Sequence, residues 1–137
     1  KDNLRGKRVL LPRADLAREV LPGELEAAGA IVENVTAYRT IFESLEQPGA
    51  PDIYKMLLER RIDAVTFTSA SAVRSFAQQL GAESAADLLQ TTVVAAIGPV
   101  TAEAAKQLNI KTHVMPSTYT IPALVDALVE HFANSIP

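Results

Sequence analysis

The chain alternates short apolar, β-branched runs with stretches whose apolar positions recur at helical spacing, and each change of period marks an element boundary. Residues 8–11 predict a first strand, ended by Pro12. Asp15 then stands where it can cap a helix with apolar positions Leu16, Val20, Leu21, Leu25 and Ala28, stopped by Gly29. Pro22-Gly23 breaks that period, which implies a kink or a short turn before a helix to Ala28. Residues 30–40 alternate and predict a second strand, and turn residues fill 46–51. Ile53, Met56 and Leu57 share one face of a helix over 53–61. A third strand over 63–68, a helix over 71–80 closed by Gly81, and a short helical turn over 85–89 follow. The remainder reads as strand 92–97, helix 101–108, strand 112–115 and helix 121–132, with Pro122 tolerated in the first turn.

This order predicts an α/β domain: a five-stranded parallel sheet with helices on both faces, right-handed crossovers and a flavodoxin-like strand order. At 137 residues the chain is expected to form a single domain over 1–137, with 1–40 a β-α-β unit plus linker strand and 41–137 the remaining β/α units. Two segments share one design. Asp63-Ala-Val-Thr-Phe-Thr-Ser-Ala-Ser-Ala-Val73 and Val93-Val-Ala-Ala-Ile-Gly-Pro-Val-Thr-Ala102 each break from an apolar run into small hydroxyl or Gly/Pro residues and then enter a helix. In a parallel sheet that break falls at the carboxyl edge, where ligands bind.

Composition narrows the chemistry. An apolar fraction of 48% with 21% charged residues is that of a globular protein, and no apolar run approaches the roughly 18 residues a membrane span needs. A net charge of −3 argues against a nucleic-acid or anionic-membrane surface, so an anionic ligand must be held locally. There is no cysteine, and His113 and His131 alone make a poor metal site, so no metal and a cytoplasmic setting are expected. Neither G-x-G-x-x-G after the first strand nor a P-loop pattern occurs. The chain starts at Lys1 without a secretory signal pattern and reads as part of something longer.

Five stretches in series carry a family resemblance: Val-Leu-Leu-Pro-Arg-Ala-Asp-Leu-Ala-Arg-Glu-Val-Leu-Pro (9–22), Val-Thr-Ala-Tyr-Arg-Thr (35–40), Phe-Thr-Ser-Ala-Ser-Ala-Val-Arg (67–74), Ala-Ile-Gly-Pro-Val-Thr-Ala (96–102) and Tyr-Thr-Ile-Pro (119–122). In content and order they resemble uroporphyrinogen-III synthase. That family is built of two similar flavodoxin-like domains joined by a two-stranded linker, and this chain resembles only its C-terminal half. The resemblance implies that residues 8–35 close the second domain, that Tyr38-Arg39-Thr40 is the returning linker, and that residue 53 onward supplies most of the first domain. Filling of the absent N-terminal unit by residues 1–40, or chain exchange into a domain-swapped dimer, would complete the fold.

The implied reaction takes the linear tetrapyrrole hydroxymethylbilane, loses its hydroxyl as water, inverts the last ring and closes the macrocycle. It needs no cofactor, and the isolated half is expected to be inactive. Such an enzyme works mainly by holding a flexible polycarboxylate in a closing geometry. Backbone N–H groups at helix starts suit the carboxylates. Thr68, Ser69, Ser71, Gly98, Pro99, Thr101, Tyr119 and Thr120 stand at those starts and are the candidate substrate-binding residues, although Ser69, Ser71, Thr101 and Thr120 read equally well as helix caps. Tyr38 is the candidate catalytic proton donor to the departing hydroxyl, against a reading as a half-buried linker tyrosine. Arg13, Arg39 and Arg74 are weaker carboxylate partners, more simply read as solvated. Glu24, Glu26, Glu59, Glu83, Asp87, Asp126 and Glu130 read as solvated helix faces, and the two histidines as structural or exposed. The alternative from another class is a non-catalytic small-ligand-binding flavodoxin-like module. A response-regulator version fails because strand three ends in Thr68-Ser69, where an acidic phospho-acceptor would stand. The parent enzyme is either a stand-alone synthase or a fusion with a methyltransferase, and the start of the chain at Lys1-Asp2-Asn3 is compatible with both.

Overall fold

The computed structural model describes residues 4–15, 17–41 and 48–134. It divides into two compact units, Lys1–Glu43 and Ser44–Pro137. Each has its own parallel sheet.

The first unit is β1 (Arg8–Ala14), α1 (Val20–Ala27) and β2 (Ile31–Tyr38). Arg8 faces Ile31 and Arg13 faces Thr36 in register, and a bulge after Arg13 then sets Ala14 opposite Tyr38. β1 does not stop at Pro12. The Ile31 N–H donates to the Lys7 carbonyl at 2.8 Å, and alternation from there turns the odd-numbered N–H groups of β1 toward β2. Residue 12 faces away from β2, so proline costs the ladder no bond. The helix begins at Val20, four residues later than a cap at Asp15 implies, which seats Pro22 in its first turn, where a missing N–H is harmless. Asp15 is therefore no helix cap: its Oδ1 accepts the Thr40 N–H at 2.9 Å and its own N–H donates to the Tyr38 carbonyl at 3.1 Å. Gly29 ends the helix at φ +92°, and a Cβ there would lie 3.0 Å from Arg5 Cα, so only glycine fits both backbone and space. Arg13 is a tie inside this unit rather than a solvated arginine. Its guanidinium donates to Asn34 Oδ1 at 3.1 Å, to the Arg18 carbonyl and to Glu19 Oε1 at 3.2 Å.

The second unit contains α2 (Ile53–Leu58), β3 (Ala64–Phe67), α3 (Ala70–Leu80), α4 (Ala82–Leu88), β4 (Val93–Ala96), α5 (Pro99–Lys106) and α6 (Ile121–Ala133). β3 and β4 pair in parallel from Ala64–Val93 to Phe67–Ala96. Successive side chains of a strand point to opposite faces, and β4 serves two cores in this way. Val94 joins Leu57, Phe67, Val73, Ala77, Leu89, Ala104, Ala105 and Ile110 under α3 and α5. Ala95 packs with Val114 and Leu124 under α6. The Phe67 and Phe76 rings meet edge to face at 5.5 Å. The layered α/β character is thus present, with helices on both faces of β4.

The five-stranded sheet is not what the described strands form. They make two sheets of two strands, and the segment expected as a fifth strand, 112–115, touches β4 only through an isolated parallel bridge between Val114 and Ala95. A regular fifth strand would offer the Thr112 carbonyl to the Val94 N–H. The His113 imidazole occupies that place, with Nδ1 accepting the bond at 3.0 Å. α3 and α5 also start earlier than expected, at Ala70 and Pro99, because Ser69 and Gly98 take the cap positions.

Candidate functional site

Three chain segments leave the second unit's sheet at the same carboxyl edge. The Ile97 N–H donates to the Phe67 carbonyl at 3.0 Å and the Ala96 N–H to the Val114 carbonyl at 2.9 Å, so Thr68, Ile97 and Met115 exit side by side. Each exit leads to a helix start. Ser69, in extended backbone, caps α3 by accepting the Ala72 N–H on Oγ at 3.1 Å, and its Oγ lies 3.0 Å from Ser71 Oγ. Thr120 caps α6 through the Ala123 N–H at 3.4 Å. Gly98 caps α5 with backbone alone, and Pro99 opens that helix.

The sequence-level candidates of this unit are therefore gathered at one edge, with different exposures. Thr68, Ser69, Pro99, Tyr119 and Thr120 are exposed, Ser71 is half-buried and Gly98 buried. Thr101 sits in the first turn of α5 at 5% exposure and is not its cap. The capping reading holds for Ser69 and Thr120; their oxygens are already engaged, which leaves backbone N–H groups and the remaining hydroxyl valences for a ligand. Helix N-termini present partial positive charge, so the edge suits carboxylates.

Gly98 is where two of the three exits touch. A Cβ built there would lie 3.2 Å from Tyr119 Cγ and 3.3 Å from Cδ1, near the root of that side chain. Gly98→Ala is expected to push the Tyr119 ring outward by a few tenths of an ångström, at a stability cost of about 1 kcal/mol. A denaturant titration and the Tyr119 ring shifts check it; an unmoved ring would mean that Gly98 does not set this rim.

Arg74 lies farther along α3, bordering a groove of about 220 Å³ with Gln78, Gly81 and Leu108. Glu59 pairs with Lys55 at 3.9 Å and Arg61 at 3.6 Å on an exposed helix end, where such pairs contribute little. His113, read in the sequence as structural or exposed, is exposed, and it also carries the one resolved electrostatic change among the described residues. Its pKa is lowered from the usual 6.5, first by burial and then by the positive charges of Lys111 and His131. No local pattern announces this role, because the acceptor of the Val94 N–H is set by the segment that lies alongside β4.

Tyr38 belongs to the first unit, at the end of β2, where it is 64% exposed rather than half-buried. Its carbonyl is held by the Asp15 N–H. Arg39 follows it and is exposed. Among the described residues no three His, Asp or Glu side chains gather as a metal site, and no helix is long and apolar enough to cross a membrane.

The family model described as uroporphyrinogen-III synthase HemD matches residues 1–126. A putative uroporphyrinogen-III synthase of Methanothermobacter thermautotrophicus is 38% identical over 136 residues, covering 98% of this chain and 53% of the relative. The uroporphyrinogen-III synthase of Chlorobaculum parvum is 28% identical, over 93% of this chain and 50% of its own length. The chain thus spans about half the length of the curated relatives it matches. Among solved structures, uroporphyrinogen-III synthetase from Helicobacter pylori 26695 superposes with a TM-score of 0.68 at 18% identity, over 93% of this chain and 55% of that one. A uroporphyrinogen III synthase from Thermus thermophilus gives 0.62 at 19% identity, over 97% and 52%. These likenesses carry the α/β fold, and the family match carries the assignment: this chain belongs to the uroporphyrinogen-III synthase family.

Proposed function

We propose that this chain supplies one half of a site that dehydrates hydroxymethylbilane and closes it, with the last ring inverted, to uroporphyrinogen III. The observation that carries the reading is the gathering of three helix starts, at Ser69, Gly98 and Thr120, on one sheet edge of a family member. Backbone N–H groups there hold the substrate's carboxylates, and the small side chains let the backbone come close. The substrate's own reactivity supplies the cation, so the protein's task is to position the chain ends for closure. Tyr38 donates a proton to the departing hydroxyl, which leaves as water. No cofactor enters the scheme. In its finer form, residues 1–40 and 41–137 belong to one flavodoxin-like domain of a cytoplasmic enzyme, and a chain-swapped dimer is the alternative assembly.

The deciding experiment is the isomer of uroporphyrinogen formed from enzymatically generated hydroxymethylbilane, with and without this chain. Isomer I alone is expected from the isolated chain, and isomer III once the remainder of a full-length relative is supplied. Failure of the supplemented mixture to make isomer III would overturn the reading in favour of a ligand-binding module without catalysis.

A further inference from the structure

The β4 ladder contains a substitution that the sheet does not need for its fold class. In a parallel pair, a residue of the neighbouring strand donates its N–H to one carbonyl and accepts from the N–H two residues on. Val114 does this with β4: its N–H donates to the Val94 carbonyl at 3.1 Å and its carbonyl accepts the Ala96 N–H at 2.9 Å. The next rung would join the Val94 N–H to the Thr112 carbonyl. Instead the Val94 N–H donates to His113 Nδ1 at 3.0 Å, while the His113 N–H donates to the Val94 carbonyl at 2.8 Å. Val94 is fully buried, so its N–H has no water to fall back on.

A side chain used as an acceptor inside a ladder can be switched off. The bond requires Nδ1 to carry a lone pair, which places the ring proton on Nε2. On protonation from solvent, Nδ1–H and Val94 N–H become two donors face to face, and one must leave. The charged groups facing the ring are Lys111, on its own segment, and His131, from α6; both oppose a positive charge on it. The same segment runs on through Val114 and Met115 to Tyr119, whose ring lies against Gly98, and to Thr120, the α6 cap.

We propose that His113 is a positioning residue for the ligand edge, a proton-sensitive rung that helps hold the 112–120 segment to β4 and so sets Tyr119 beside Gly98 and Thr120 at the start of α6. The proposal rests on the assignment of that edge as the tetrapyrrole site. In its neutral form the imidazole completes the ladder; in its protonated form the bond to the Val94 N–H is lost, and the third exit from the sheet is held only by the backbone bonds of His113 and Val114 to β4.

Linkage has a definite sign. Partial desolvation of an otherwise exposed ring and the neighbouring positive charges lower the folded-state pKa below 6.5, so the unfolded state binds more protons between the two values. The stabilisation is fully present above the unfolded value and is lost as pH falls through 6.5 toward the folded one.

The test is a histidine and amide NMR titration of the isolated chain from about pH 8 to about pH 5, a range that brackets histidine ionisation. His113 is expected as the Nε2–H tautomer at neutral pH, with a midpoint below 6.5, and the Val94, Tyr119 and Thr120 amides should move on the same curve. His113→Asn keeps an acceptor at the δ position that does not titrate, so those amides should stay at their neutral positions throughout. His113→Ala should hold them at their acid positions at every pH, with exchange of the Val94 amide about tenfold faster or more. An Nδ1–H tautomer at neutral pH, or Tyr119 and Thr120 signals indifferent to His113→Ala, would overturn the proposal. So would an unchanged midpoint in His113→Asn that vanishes in His131→Gln. Binding of a cyclic octacarboxylic tetrapyrrole, measured in parallel, separates the two readings. Absence of binding at every pH, both by the isolated chain and once the remainder of a full-length relative is supplied, overturns the functional assignment and leaves the rung, whereas binding by that mixture that weakens equally with acid in wild type and His113→Asn overturns the positioning role.

Discussion

Phe67→Ala is expected to destabilise the second unit by about 3–5 kcal/mol, a large share of the roughly 5–15 kcal/mol that typically holds a domain together. Phe67 is 3% exposed, ends β3, and meets Phe76 edge to face, so truncation removes buried apolar area, an aromatic pair and the packing of α3 on the strand. The neighbouring small residues, Val73 and Ala77 among them, have little side chain with which to fill the void. The effect should reach the carboxyl edge directly, because Thr68 and Ser69 follow in sequence and the Phe67 carbonyl accepts the Ile97 N–H. Phe67→Leu, closer in volume, should cost less than about 1.5 kcal/mol and leave the edge intact. Urea denaturation of the pair checks the difference. Equal and small losses would mean that this core is not what supports the edge.

Tyr38→Phe is expected to slow isomer III formation by about a hundredfold or more in an assembly competent for ring closure, the usual scale of one general acid. The substitution removes a hydroxyl and keeps the ring. At 64% exposure, with its carbonyl held by Asp15 in both forms, the residue should lose almost no stability. A fall in kcat with KM nearly unchanged is the signature of a group acting in the transition state. A rise in KM at constant kcat would make Tyr38 a binding residue, and an unaffected rate would remove it from the mechanism. A mixture that is inactive with wild-type chain is already covered by the isomer assay, so the variant is read only against an active reference.

Element types were legible along most of the chain, and the reason is local. Ser69 and Thr120 satisfy N–H groups three residues ahead, and Gly29 and Gly81 adopt positive φ where helices end, so each boundary is written within one turn of chain. The candidate residues of the second unit were legible for the same reason, since helix starts after parallel strands lie at the carboxyl edge by construction. What misled was Asp15, an apt cap residue by type. Its carboxylate is taken by Thr40, twenty-five positions away in sequence, a partner that no local pattern announces.

Sequence alone determined the family, through five short stretches in order, the alternation of strands and helices, and the residues that open the helices at the carboxyl edge. Only the tertiary structure decided which strands pair, that β1 continues through Pro12, that Arg13 is a tie and not a solvated charge, and that an imidazole replaces a carbonyl in the β4 ladder. The division follows from range. Caps and helical period are settled by atoms a few residues apart. A strand's tolerance for proline and a buried N–H's choice of acceptor depend instead on which distant segment lies alongside, and that is settled only when the chain has folded.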